Sequence, residues 1–111
     1  MSDDILARLE AVIAQRLKAE PSASAAPSYV TSLAAKGHDA ILKKVAEEAA
    51  ETLLASKDGD KMHLVRETAD LWFHTMVLLA WHGASHEEVL AELARREGTS
   101  GIVEKNARGK K

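Results

Sequence analysis

The sequence predicts an all-α protein, a helical bundle of about four to five helices. Alanine and leucine dominate the composition, which favours helix over sheet. Apolar residues recur at intervals of three and four, and no strand-like alternation or internal repeat interrupts them. A chain of 111 residues suits a single domain, here residues 1–111.

Asp3 to Ala19 reads as an amphipathic helix carrying Ile5, Leu6, Leu9, Val12, Ile13 and Leu17 on one side. Residues 21–27, from Pro21 to Pro27, are a linker by composition. Ser28 caps a short helix through Ala35 that Gly37 closes. A third helix spans about Asp39 to Ser56, with Leu42, Val45, Ala49 and Leu53 as its expected apolar stripe. Lys57-Asp58-Gly59-Asp60 is a turn by composition. A fourth helix runs from about Asp60 to His82 and stops at Gly83. Ser85 and Glu88 form a capping box for a fifth, which ends before Gly98. Residues 99–111 are a polar, basic tail, expected to be irregular.

Composition narrows the function classes. With 15 basic and 17 acidic residues the net charge is −2, so no global bias points to nucleic acid or to an anionic membrane. There is no cysteine, which excludes disulfides and thiolate metal sites. Met1-Ser2-Asp3-Asp4 lacks the profile of a signal peptide, and the longest apolar stretch, Leu71 to Trp81, is too short to span a bilayer. A cytoplasmic protein is the expectation.

The acidic residues carry the chemistry. Glu47-Glu48-x-x-Glu51 precedes the turn and Glu67-x-x-Asp70 follows it. Glu51 and Glu67 each lie eight residues from Gly59, and Glu48 and Asp70 each lie eleven from it. On two antiparallel helices that double back at Gly59, these residues stand at matching heights, about 12 Å from the turn. Each pair is spaced i,i+3 and is expected to face one way. Glu48 and Glu51 are read as lying away from the third helix's apolar stripe, beside Lys44. Glu67 and Asp70 share a stripe with His63, His74, Leu78 and Trp81, where acids are costly to bury. Four converging carboxylates repel, each pair by about 4 kcal/mol at roughly 4 Å and an effective dielectric near 20. A divalent cation is the natural partner, although a solvated acidic helix face is the plain reading of any one such pair.

Hard carboxylate oxygens suit Mg2+ or Mn2+. A di-iron bundle needs Glu-x-x-His pairs on two helices, and the chain has none. His63 and His74 are expected to be packed or hydrogen-bonded helix residues. Lys43 and Lys44 lie one turn before the acids, spaced to pair with Glu47 and Glu48 or to meet a phosphate. Arg95 and Arg96 end the fifth helix, where cations complement the dipole.

The arrangement Glu-Glu-x-x-Glu, turn, Glu-x-x-Asp resembles the all-α nucleotide pyrophosphohydrolases of the MazG-like superfamily. Ser28-Tyr29-Val30-Thr31-Ser32-Leu33, residues Gly37 to Val45, Ala69 to His74 and Leu90 to Arg96 are similar to the phosphoribosyl-ATP pyrophosphohydrolase family of histidine biosynthesis. Ala46 stands where that family's pattern has glycine. The resemblance implies Mg2+-dependent hydrolysis of phosphoribosyl-ATP to phosphoribosyl-AMP and pyrophosphate. It implies Glu48, Glu51, Glu67 and Asp70 as metal ligands. Glu47 is left as a further ligand or as the group that orients or deprotonates water. It also suggests Lys43, Lys44, Arg95, Arg96 and Lys105 as contacts to substrate phosphates, and a homodimer with the site near its interface. The competing readings are a housecleaning nucleoside triphosphate pyrophosphohydrolase of the same superfamily and a non-enzymatic helical interaction module.

Overall fold

The computed structural model describes residues 4–19 and 28–98, and all five helices fall within them. The linker and tail expectations, and Lys105, lie outside the described residues. The helices are α1 (Ile5–Lys18), α2 (Tyr29–Lys36), α3 (His38–Asp58), α4 (Lys61–Trp81) and α5 (His86–Glu97). The described residues contain no strand, and no described helix is long and apolar enough to cross a membrane.

Local chemistry sets the helix ends. Asp4 accepts from the Leu6 N–H, Ser28 from Thr31 and Asp60 from His63, each supplying an acceptor for an otherwise unpaired first-turn donor. Gly37, at φ 100°, serves as both the C-cap of α2 and the N-cap of α3, so one residue makes the corner. Gly59 closes α3 in the left-handed region at φ 76°, a conformation that costs a residue with a Cβ. The capping box of α5 is present in both directions, with the Ser85 N–H donating to Glu88 at 2.9 Å.

α3 and α4 pack against each other as a long antiparallel hairpin about Gly59. α1 and α2 cover its end remote from the turn. The core lies there: Ile13, Val30, Leu33, Ile41, Met76 and Val77, flanked by Leu6, Leu9, Leu17 and Phe73. The expected stripe of α3 is covered only at Val45 and Ala49. Leu42 is 41% and Leu53 68% exposed, whereas Ile41 and Ala55 are fully buried. The packed line is Ile41, Val45, Glu48, Thr52 and Ala55, none of which is exposed. Its spacing of four, three, four and three is that of two helices lying nearly parallel along a seam. Near the turn, among the described residues, α3 and α4 alone cover each other, so Leu53, Leu54, Met62 and Val65 are exposed.

Glu10 ties α1 to α5. Its carboxylate accepts from the His86 N–H at 2.6 Å, from His86 Nδ1 at 2.7 Å and from the Ser85 hydroxyl at 3.0 Å. Chiefly the His86 backbone donor, then its ring, hold the Glu10 carboxyl below the usual carboxylate range. A depressed folded-state pKa adds stability above the unfolded pKa, and that contribution is lost as pH falls through the folded one. Glu10→Gln is therefore expected to destabilise the protein near neutral pH by about 1–2 kcal/mol, the range for hydrogen bonds to a charged group reduced for partial exposure. Urea melts across pH check this. The wild-type advantage should persist down to the ordinary carboxylate range and shrink below it.

Candidate active site

Three carboxylates meet across the hairpin. One oxygen each of Glu48, Glu67 and Asp70 lies within 4.8 Å of the others, close enough to hold a metal ion. Glu48 is on the α4-facing seam of α3, and its side chain is only 12% exposed. Glu67 is 17% exposed, and Asp70 sits at the open rim. Thr52 fixes the register. Its hydroxyl lies 2.8 Å from the carbonyl oxygen of Glu48, one turn back in its own helix, and 3.3 Å from that of Glu67 on α4.

Protein groups satisfy part of the charge. Lys44 Nζ stands 3.4 Å from both Glu47 and Glu48, so one lysine takes both pairings expected of two. Burial works to lower the Lys44 pKa, but Tyr29 and the two glutamates outweigh it and hold the ammonium above its usual value. His63 Nε2 lies 3.1 Å from Glu67. Among the described residues, no hydrogen bond or ion pair engages the Asp70 carboxylate. The donor set is all hard oxygen, which fits Mg2+ or Mn2+.

The remaining expected site residues are placed as follows. Glu51 is exposed and outside the trio, because the seam steps from Glu48 to Thr52 and leaves Glu51 on the flank. Glu47 is 47% exposed beside Lys44. Lys43 is exposed, and among the described residues no hydrogen bond or ion pair engages its ammonium. Arg95 forks onto Glu92 at 2.6 and 3.1 Å, Arg96 Nε adds a bond at 3.0 Å, and together they hold its carboxyl down to about 2. They are not brought to the trio. Sequence reasoning missed Tyr29, whose hydroxyl meets His74 at 2.7 Å. Burial raises its pKa, opposed by Lys44 and reinforced by Glu48, Glu47 and Asp70. The only sequence signal for it was its place in a family-like segment.

The trio predicts an asymmetry in metal-free buffer. Asp70→Asn removes like-charge repulsion and should raise stability by about 1 kcal/mol, well below the Coulomb figure because the rim is solvated. Glu51→Gln lies outside the trio and should stay within about 0.5 kcal/mol of wild type. Urea melts in EDTA check both, and a destabilised Asp70→Asn would show that these carboxylates do not strain the fold.

Residues 6–97 match the family model of phosphoribosyl-ATP pyrophosphohydrolase. A relative from Chromobacterium violaceum, named phosphoribosyl-ATP pyrophosphatase, is 62% identical over 108 residues, covering 97% of this chain and 96% of its own. Relatives of the same name from an Azoarcus species and from Neisseria meningitidis serogroup B are 58% and 56% identical, over 95% and 97% of this chain and 94% and 97% of theirs. With agreement of this depth along nearly its whole length, the chain belongs to the phosphoribosyl-ATP pyrophosphohydrolase family.

Proposed function

We propose that this chain hydrolyses phosphoribosyl-ATP to phosphoribosyl-AMP and pyrophosphate, an early step of histidine biosynthesis, with Mg2+ as its ion and Mn2+ as a substitute. The observation that carries the reading is the convergence of Glu48, Glu67 and Asp70 across the α3–α4 hairpin, in a chain of this family. These three hold the ion, and Glu51, one turn beyond Glu48, joins them from the flank. The ion, when bound, supplies Lewis-acid polarisation and charge neutralisation at the polyphosphate. Glu47 is outside the trio and shares Lys44 with Glu48. It orients the attacking water and takes its proton. Lys43, exposed beside the acids, and Lys44 meet the substrate's phosphates. Arg95 and Arg96 grip the phosphoribosyl end by exchanging Glu92 for phosphate. The exchange costs little, since the Glu92 pairs are solvent-exposed.

The working unit in this reading is a cytoplasmic homodimer. An apolar groove of about 810 Å³ is lined by Leu42, Trp72, Met76, Leu79, Leu90 and Leu93. Trp72, at 59% exposure, and Leu93, at 54%, are large apolar residues left open in one protomer. A second copy covers this face.

Phosphorus NMR of a reaction with phosphoribosyl-ATP and Mg2+ tests the activity, and inorganic pyrophosphate is the expected product. Glu48→Gln and Glu67→Gln should abolish it in folded protein. Changing both Arg95 and Arg96 to alanine should lower kcat/KM for phosphoribosyl-ATP about ten- to a hundredfold more than for a plain nucleoside triphosphate, the worth of a charge-assisted hydrogen bond. An equal fall for both substrates would reduce these arginines to a helix-end role.

A further inference from the structure

Tyr29 opens α2 and is the only tyrosine in the chain. Its hydroxyl lies 2.7 Å from His74 Nε2, and His74 Nδ1 lies 2.8 Å from the backbone oxygen of Asp70. A carbonyl oxygen only accepts, so Nδ1 carries the hydrogen. In the neutral ring Nε2 is then an acceptor, and the Tyr29 O–H donates to it. The single proton of the phenol is thereby turned into the protein. Outward, Tyr29 offers acceptor lone pairs and no donor.

The arrangement is fixed on its inner side and open on its outer side. His74 is 5% exposed, and its ring meets those of Tyr29 and Phe73 edge-on at 5.5 and 5.3 Å. Tyr29 is 50% exposed. Burial raises its pKa, opposed by the Lys44 ammonium and reinforced by the charges of Glu48, Glu47 and Asp70. An acceptor without a free proton suits no phosphate oxygen. It suits a donor, and the donors a hard cation brings are its bound waters, several of which Mg2+ retains when carboxylates hold it. Groups that hydrogen-bond to the atoms around a metal orient them and strengthen binding.

We propose that Tyr29, its proton committed to His74, is a positioning residue that accepts a hydrogen bond from a water on the divalent cation held by Glu48, Glu67 and Asp70. The inference rests on the reading of that trio as the metal site. His74 sets the direction of the phenol proton, and so decides that the rim of the site presents an acceptor.

Mg2+ affinity, measured by calorimetry and by the rise in Tm, tests this in the full chain. Tyr29→Phe should bind Mg2+ about tenfold more weakly or worse. The variant also leaves His74 Nε2 unpartnered and lowers the metal-free Tm, so affinity is the deciding readout. A lower metal-free Tm with wild-type affinity would mark Tyr29 as purely structural and overturn the proposal. Asp70→Asn separates the two claims. If it binds Mg2+ like wild type, the metal site itself is wrong. If it loses Mg2+ while Tyr29→Phe does not, only the role of Tyr29 fails. In wild-type protein the ring resonances of the sole tyrosine should move on Mg2+ addition with the same half-saturation as Tm, and an unresponsive ring would overturn the proposal without any variant.

Discussion

The packing of α3 on α4 holds three carboxylates together against their own repulsion, and the other features of the site depend on it. Glu48 sits in the same seam as Ile41 and Ala55, so the apolar contacts that join the helices also carry the acid inward. Thr52 contacts both backbones within one turn of Glu48 and Glu67 and sets their relative height. The core at the far end of the hairpin, built on Ile41, Met76 and Val77 with α1 and α2, anchors the arrangement where no charges intervene. Apolar burial at one end thus offsets electrostatic cost near the middle.

The shorter helices have distinct tasks around this hairpin. α2 turns into α3 at Gly37 and sets Tyr29 against His74, whose ring bonds the Asp70 backbone. α1 contributes Ile13 to the core and reaches α5 through Glu10. The face between α4 and α5 is apolar and open. The charged site thus lies on the hairpin, apart from this apolar face.

Much of this was legible in the sequence. The mirrored count about Gly59 depends only on helix rise and a turn residue able to take positive φ, and the structure brings Glu48, Glu67 and Asp70 together as that count requires. The capping box at Ser85 was equally local. What failed was the side of α3. The apolar residues Leu42, Val45, Ala49 and Leu53 suggested one stripe, but the packed seam contains Glu48 and Thr52, whose polarity conceals it from a hydrophobicity argument. Glu51, which the i,i+3 spacing pairs with Glu48, stands exposed on the flank of the trio because the seam steps by four to Thr52. Tyr29 lies 45 residues from His74, and Glu10 lies 76 from His86. Contacts of that span depend on how helices assemble, which no local pattern encodes.

Locating the cation on the protein tests the central claim most directly. Crystals grown with Mn2+ would reveal the ion by its anomalous scattering. A single strong peak bounded by the carboxylates of Glu48, Glu67 and Asp70, and lost when Mg2+ is added in excess, is the predicted result. A peak elsewhere on the chain, or none at the trio in crystals of protein that hydrolyses phosphoribosyl-ATP with Mn2+, would contradict the account.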